Sequence, residues 1–174
     1  SNPTGAVIDE ERLAAIARLA KERHLIVVSD EIYDQLVYPP ARHVPIVQAS
    51  PDLVDQTVIV GGVSKTYSMT GWRIGWAVGP QPWIDAMINV QSHSTSNPTS
   101  ISQHAALAAL TGEQESVAAM RSAFQERRDR MVSGLNRLPG LHCTLPAGAF
   151  YAWCNVTALG QAAAGGADVL GELA

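Results

Sequence analysis

The apolar residues of this chain fall into two patterns that alternate along its length. Residues 25–28 and 57–60 are short aliphatic runs rich in β-branched side chains, which is typical of buried strands. Residues 74–78 form a third candidate strand. A helix is predicted over 10–23, where apolar residues recur at helical spacing behind Asp9, a suitable N-cap residue. Because strands alternate with helices, we predict an α/β domain with a mostly parallel sheet.

Three more helices are predicted further along the chain. The first two cover residues 81–90 and 100–110. The third is long, and the charged residues 126–130 are expected to form its solvated face. Its opposite face carries an apolar stripe, which consists of Val117, Met120, Phe124, Met131, Leu135 and Leu138.

The pattern changes again after the long helix. Residues 141–145 and 149–155 are predicted strands of a different sheet, and residues 160–166 are predicted to be a surface loop because they are small and flexible. We therefore predict two parts. Residues 1–115 belong to a first domain, and residues 116–174 comprise a linking helix and the beginning of a small α+β domain.

Composition and charge exclude several classes of protein. The 174 residues are 47% hydrophobic and 16% charged, with a net charge of −4, which is typical of a globular protein and argues against nucleic-acid binding. No apolar run is long enough to span a bilayer, and we expect a cytoplasmic protein. The five histidines lack the spacing of metal ligands, so no metal site is predicted. Cys143 and Cys154 are too far apart in sequence for a C-x-x-C site, and reduced thiols are expected.

Three polar residues follow the predicted strands at positions where chemistry is common. Asp30 comes after the first strand, Lys65 comes after the second, and Arg73 lies eight residues beyond Lys65. Ligands of open α/β sheets bind at the carboxyl ends of strands, so the three side chains are expected to face one crevice. Each residue alone has a simpler explanation. Asp30 could be a helix cap, Lys65 a surface residue and Arg73 part of a surface ion pair. Together they suit a cofactor with a cationic ring nitrogen, an aldehyde and a phosphate.

Five short segments, in this order and at these separations, resemble the consecutive signatures of class I aminotransferases of the pyridoxal-phosphate (PLP) fold type I superfamily. They are residues 2–5 (NPTG), 29–33 (SDEIY), 64–75 (SKTYSMTGWRIG), 91–98 (QSHSTSNP) and 148–151 (GAFY). The resemblance implies a three-layer αβα domain, with residues 1–115 as the C-terminal half of the large PLP-binding domain. The region around 92–103 looks most similar to the bacterial aspartate and prephenate branch of the family.

The resemblance also implies a role for each matching residue. Lys65 is expected to form the Schiff base with PLP and to move the proton during transamination. Asp30 is expected to pair with the pyridinium nitrogen of the cofactor. Tyr33 and Asn2 are expected to contact its phenolic oxygen.

The phosphate of the cofactor has its own expected ligands. Arg73 is expected to bind it with two guanidinium donors, and Ser64 with its hydroxyl. Gly62 departs from a common form of the family motif, which has a serine there, so its phosphate contact is in question. The implied substrates are an amino acid, aspartate being preferred, and a 2-oxo acid. A homodimer is also implied, in which the neighbourhood of Asn97 reaches the active site of the partner subunit.

Some parts of such an active site are expected outside this sequence, which therefore resembles the central part of a family member. The glycine-rich phosphate turn and the residue that stacks on the ring are expected upstream, and the arginine for the substrate carboxylate downstream. This chain alone is expected to bind PLP weakly and to turn over no substrate.

Two other functions are compatible with the same core residues. Related PLP folds eliminate C–S or other β-bonds with the same lysine, aspartate and arginine. Some transcription regulators use an aminotransferase-like domain to bind an effector, and these would carry a basic DNA-binding domain upstream. A third possibility is a fragment, cut by proteolysis or made deliberately, with no function of its own.

Overall fold

The computed structural model describes residues 1–159 of the chain. Helices and strands alternate over the first half, as the apolar pattern predicts. The elements, in chain order, are α1 (Glu10–Glu22), β1 (Val27–Asp30), α2 (Ile46–Ala49), β2 (Thr57–Gly62), α3 (Val63–Thr66), β3 (Gly75–Val78), α4 (Gln81–Ser94), α5 (Ser100–Thr111), α6 (Glu115–Leu135), β4 (His142–Cys143) and β5 (Cys154–Asn155). Two 3₁₀ turns, Pro51–Gln56 and Thr70–Trp72, precede β2 and β3.

The first sheet has three strands in the order β1-β2-β3. Strands β1 and β2 are parallel, with Asp30 opposite Val60, as predicted. Strand β3 departs from a parallel arrangement, because it is antiparallel to β2 with Gly75 opposite Gly62. The link between β2 and β3 holds only α3, of four residues, and a three-residue 3₁₀ turn. So short a link turns the chain back along its neighbour, whereas a parallel strand needs a crossover that spans the sheet.

Helix α1 begins where its N-cap was predicted and ends in a way that shifts β1. Asp9 Oδ1 accepts a hydrogen bond of 2.8 Å from the backbone N–H of Arg12. At the other end, Leu25 donates its N–H to the carbonyl of Ala20 at 2.8 Å, and His24 between them has a φ of 51°. This is the Schellman pattern of helix termination. Leu25, the first residue of the apolar run, takes part in this turn and is not available to the sheet, so β1 begins at Val27 rather than at residue 25.

Two apolar clusters fix the helices on the sheet. The larger joins α1 to α2 and to the first 3₁₀ turn, and its buried members are Leu13, Ala17, Ala20, Ile46 and Leu53. The smaller joins Val63 of α3, Ile74 and Ala106 of α5. Val63 is fully buried, so the short helix α3 is anchored at its first residue. No helix within residues 1–159 is long and apolar enough to cross a membrane.

Helix α6 differs in detail from the sequence pattern. Its buried residues are Val117 and Val132, whereas Met131 of the predicted stripe is 58% exposed. The prediction of a wholly solvated charged face is wrong at Arg128, whose side chain is only 10% exposed. Its guanidinium lies 4.6 Å from the centre of the Tyr38 ring and donates a 3.0 Å hydrogen bond to the carbonyl of Pro146.

The second sheet is present but short. Strands β4 and β5 have two residues each and are antiparallel, where residues 141–145 and 149–155 were predicted. Much of residues 144–153 instead packs against the first half of the chain. The predicted loop at 160–166 lies outside the described residues, and the proposed domain boundary at 115 stays a prediction.

Because the Arg128 side chain is largely covered and lies over an aromatic ring, we expect Arg128→Ala to lower the free energy of unfolding by roughly 2 kcal/mol, through loss of a cation–π contact and a charged hydrogen bond. Urea denaturation of this chain measures the change. Arg130→Ala is the matched control, because Arg130 is an exposed residue of the same helix, and it should change stability by less than about 0.5 kcal/mol. Equal effects of the two substitutions would contradict the structural role of Arg128.

The pair formed by His43 and Glu31 should make stability depend on pH. His43 Nε2 lies 3.0 Å from Glu31 Oε2. This hydrogen bond raises the pKa of His43 above 6.5, against the effect of burial. Burial acts to raise the pKa of Glu31, but hydrogen bonds from His43 and Ser29 outweigh it, and the pKa lies below 4.5. The stabilisation by His43 is present below pH 6.5 and is lost as the pH rises through its folded pKa. The stabilisation by Glu31 is present above pH 4.5 and is lost as the pH falls through its folded pKa.

We therefore expect the free energy of unfolding to fall as the pH rises from 6.5 towards 8 in the unmodified chain, and His43→Ala to remove this fall. Urea denaturation at a series of pH values is the measurement. His104→Ala, at an exposed position on α5, should keep the fall. An unchanged pH profile in His43→Ala would show that the ion pair does not form in solution.

Candidate active site

The carboxyl ends of the two parallel strands bring three of the predicted site residues, Asp30, Ser64 and Lys65, to the same edge of the sheet. Strand β1 ends at Asp30, and β2 leads directly into α3, which carries Ser64 and Lys65. Asp30 is exposed, and its Oδ1 accepts a 3.1 Å hydrogen bond from the N–H of Ile32, which helps to turn the chain out of the strand. Thr66 of α3 donates a hydrogen bond of 3.2 Å to Asp34 Oδ1, so the segments after β1 and β2 are held together.

The aromatic ring of Phe150 joins Lys65 and Tyr33. The Lys65 ammonium lies 5.7 Å from the centre of the Phe150 ring. The Tyr33 ring packs edge-on against the same ring, with centroids 5.7 Å apart. Phe150 also stacks on Phe124 of α6, with ring centroids 5.4 Å apart. The candidate nucleophile and the candidate phenol donor therefore share one aromatic neighbour.

The Tyr33 hydroxyl has a direct partner in Tyr151. The two hydroxyl oxygens are 2.5 Å apart, and the rings are nearly perpendicular, at 80°. Burial raises the pKa of Tyr33, and the hydrogen bond to Tyr151 and the charge of Asp30 raise it further. Tyr33 therefore stays a neutral phenol, able to donate a hydrogen bond, throughout the physiological pH range.

Backbone contacts hold Phe150 and Tyr151 in place. The N–H of Ala149 donates a 2.7 Å hydrogen bond to the carbonyl of Leu36, and Val37 pairs with Gly148 in an antiparallel bridge. The N–H of Gly148 also donates to the carbonyl of Gly5, at 2.8 Å. The segment around 148–151 thus lies between the N-terminal turn and the region after β1.

A cavity of about 200 Å³ is lined by both predicted phosphate ligands, Ser64 and Arg73. Its other lining residues are glycines and isoleucines, so the lining has no carboxylate. Arg73 has a φ of 55°, a left-handed conformation that costs a non-glycine residue roughly 1 kcal/mol or more. One guanidinium nitrogen, Nη1, donates a 2.9 Å hydrogen bond to the Thr70 carbonyl. The other guanidinium donors have no hydrogen-bond partner within residues 1–159, so they are available to a ligand.

The structure gives a physical reason for glycine at position 62. A Cβ added to Gly62 would lie 2.9 Å from the carbonyl oxygen of Ile74 and 3.2 Å from the Cα of Gly75. Both atoms belong to the backbone beside the antiparallel strand β3 and cannot move aside cheaply. The serine that occupies this place in a common form of the motif does not fit this backbone arrangement.

Asp30 and Tyr33 line a second cavity, of about 140 Å³. Glu31, Asp34 and His43 also line it, so the cavity holds three carboxylates and one imidazole but no lysine or arginine. The two cavities therefore differ in the charge of their lining. Asn2 is exposed in the N-terminal turn, and among the described residues no hydrogen bond of its side chain to Tyr33 is formed. The structure thus groups Asp30 with Tyr33 and Ser64 with Arg73, and Asn2 lines neither of the two cavities.

Two residues of the site were absent from the predicted set. Phe150 and Tyr151 were recognised only as part of a family signature, although they contact Lys65 and Tyr33. No local pattern could assign them, because they are more than 80 residues away from both partners in the sequence. A further cavity, of about 530 Å³, is lined by none of the predicted site residues and lies between the sheet and the start of α6.

The sequence and the structure of this chain were compared with those of known proteins, and both match one family. The model of the family "Aminotransferase class I and II" matches residues 1–169. An aspartate aminotransferase of Geobacillus stearothermophilus is 51% identical over 155 residues, which are 89% of this chain and 39% of that protein. An aspartate/prephenate aminotransferase of Cereibacter sphaeroides is 47% identical over 171 residues, 97% of this chain and 43% of that protein.

A solved structure agrees with these sequences. The aspartate aminotransferase of Rhizobium meliloti superposes with a TM-score of 0.87 at 43% identity, and the match covers 91% of this chain and 40% of that protein. The chain therefore spans about 40% of the length of the relatives that it matches. With the family model matched over nearly all of its residues, the chain belongs to the class I and II aminotransferases.

Proposed function

We propose that the whole protein is a PLP-dependent aminotransferase that moves the amino group of aspartate, or a similar amino acid, to a 2-oxo acid. The observation that carries this proposal is the meeting of Lys65 and Tyr33 at the Phe150 ring. Aspartate is preferred because the relatives described above are named for aspartate or for aspartate and prephenate. A cytoplasmic location stays a prediction.

The residues present fit the cofactor in charge. PLP carries an anionic phosphate at one end and a ring nitrogen that is cationic when protonated. Ser64 and Arg73 line a cavity without carboxylates, and Asp30 lines one that holds three carboxylates and the imidazole of His43. In this assignment, Arg73 binds the phosphate through its free guanidinium donors and Ser64 adds a hydroxyl. The Asp30 carboxylate would accept a hydrogen bond from the protonated ring nitrogen.

Transamination also requires a group that can take the proton from the substrate α-carbon and return it. When bound, PLP supplies an electron sink that makes the proton on the substrate α-carbon acidic. In this assignment the Lys65 amine would hold the cofactor covalently, and as a free amine it would move that proton. Tyr33, kept as a neutral phenol, donates a hydrogen bond to the phenolic oxygen of the cofactor, and Asn2 is proposed to contact the same oxygen.

The proposed assembly is a homodimer. Helices α4 and α5 present large apolar side chains to solvent, among them Val90 at 69% exposed, Ile101 at 72% and Leu107 at 57%. A run of such residues is typical of a surface that another subunit covers. Asn97, between the two helices, is in this proposal close to the partner's active site.

The chain offers a clean test of Lys65, because its only lysines are Lys21 and Lys65. We expect PLP followed by borohydride reduction to label Lys65, and peptide mapping by mass to locate the adduct. Lys65→Ala should lose the label. In the full-length protein, it should also lower transamination between aspartate and 2-oxoglutarate by roughly 10³-fold, because both the nucleophile and the proton carrier are removed.

Lys21→Arg is the matched control, because Lys21 is exposed and paired with Asp52. It should keep both the Lys65 label and the activity. Labelling of Lys21 or the Ser1 amine in place of Lys65 would contradict the assignment of the site. Pyruvate and ammonia from cystathionine, without transamination of aspartate, would instead indicate a lyase.

The hydrogen bond between Tyr33 and Tyr151 gives a second prediction. Tyr151→Phe removes one of the two contacts that hold the pKa of Tyr33 high, so Tyr33 should ionise at a lower pH than in the unmodified chain, although burial keeps it raised. An ultraviolet titration of tyrosine ionisation measures this without cofactor. Tyr67→Phe is the control, because the Tyr67 hydroxyl donates its hydrogen bond to Gln114 and not to Tyr33. A titration curve for Tyr151→Phe that differs from that of the unmodified chain only by the loss of one tyrosine would mean that the bond does not contribute.

A further inference from the structure

The two cysteines of the chain are cross-strand neighbours, although ten residues separate them in sequence. Cys143 of β4 is paired with Cys154 of β5 in the antiparallel register. Both are free thiols, with Cys143 buried and Cys154 partly exposed. Paired residues of an antiparallel ladder have Cα atoms about 4.5 to 5.5 Å apart, with side chains on the same face. Disulfides form at Cα separations of about 4.4 to 6.8 Å, so this register permits a bond between them.

The surroundings of the two thiols differ. Cys143 is 1% exposed, and its Sγ donates a 3.7 Å hydrogen bond to the carbonyl of Thr144. Burial raises the pKa of the Cys143 thiol, and the adjacent Cys154 thiol raises it further. A reagent in solution therefore meets Cys154 first, and Cys143 is placed to react second.

One end of the pair is firmly anchored. The side chain of Asn136, at the end of α6, donates a 3.0 Å hydrogen bond to the carbonyl of Cys143 and accepts one of 2.7 Å from its N–H. Strand β4 is thereby fixed to helix α6. Within the described residues, β5 is held by its pairing with β4.

We propose that Cys143 and Cys154 form a thiol–disulfide exchange site, which a low-molecular-weight disulfide oxidises to an internal disulfide that closes the segment carrying Phe150 and Tyr151. The closed loop is residues 143–154, so its two ends are tied while its middle contacts Tyr33 and Lys65. The proposal concerns the thiols of this chain and does not depend on the proposed transamination.

The exchange takes two balanced steps. The Cys154 thiolate attacks one sulfur of the reagent, the reagent S–S bond breaks, and one reagent thiolate leaves and takes up the proton that Cys154 lost. The Cys143 thiolate then attacks Cys154 Sγ, the mixed disulfide breaks, and the second reagent thiolate leaves and is protonated in turn. The two cysteines are oxidised, and one reagent disulfide is reduced to two thiols.

The first measurement uses the folded 174-residue chain with oxidised glutathione as the probe. We expect the mass to fall by that of two hydrogen atoms, and a non-reducing peptide map to join Cys143 to Cys154. Cys143→Ser should stop after the first step and keep one glutathione on Cys154. Cys154→Ser should react at least about tenfold more slowly, because only the buried thiol is left.

The second measurement tests the effect on the segment between the cysteines. Chymotrypsin cleaves after aromatic residues, and Phe150 is 42% exposed. Closing the loop should slow cleavage at Phe150 and Tyr151 by about tenfold, and dithiothreitol should restore the rate. Cys143→Ala, treated in the same way, should show no such protection.

Two results would overturn the proposal. One is a product that carries glutathione on both cysteines, or chains linked to each other, with no internal bond. The other is an internal bond that leaves cleavage after Phe150 unchanged, which would separate the thiols from the site. Labelling of Lys65 by PLP is measured independently, so failure of the thiol proposal and failure of the proposed function can be told apart.

Discussion

The contact of Phe150 with Tyr33 and Lys65 is the constraint on which the candidate site depends. The three residues come from three separate parts of the chain, and no covalent link or short turn holds them together. The antiparallel bridge between Val37 and Gly148 joins the region after β1 to the segment that carries Phe150, because it fixes the backbone just before Phe150. Without that bridge, this edge of the sheet would present a lysine and an aspartate, but no aromatic ring beside them.

The sequence was most informative where the structure depends on near neighbours. Asp9 capped its helix as expected, and the run at 57–60 became the central strand β2, because capping and burial of aliphatic residues are local effects. The start of β1 was displaced because the end of α1 competed for the same residues. Arg128 was assigned to solvent because charge alone gives no information about Tyr38, which is 90 residues away in the sequence.

Within the site, the strand ends could be predicted and the cross-chain contacts could not. Asp30 ends β1 and Lys65 lies just after β2, so the rule for open α/β sheets predicted their position, whereas Ser64 was named only by the family resemblance. The Tyr33–Tyr151 hydrogen bond spans 118 residues and has no sequence pattern. Gly62 is intermediate: the departure from the family motif was visible, but its reason, the approach of Ile74 and Gly75, required the antiparallel geometry of β3.

The pairing of Cys143 with Cys154 follows from the same limitation of sequence patterns. A short motif such as C-x-x-C brings two thiols together through one turn of chain, whereas here a two-residue ladder does so across a loop of residues 144–153. That loop contains the Gly148 bridge and the Phe150 ring. The middle of the loop is already held by the hydrogen bond from Ala149 to Leu36 and by the pairing of Gly148 with Val37. A bond between the cysteines would restrict the loop at its ends while the bridge restricts its middle, so the aromatic contacts to Tyr33 and Lys65 should be more rigid in the oxidised chain than in the reduced one.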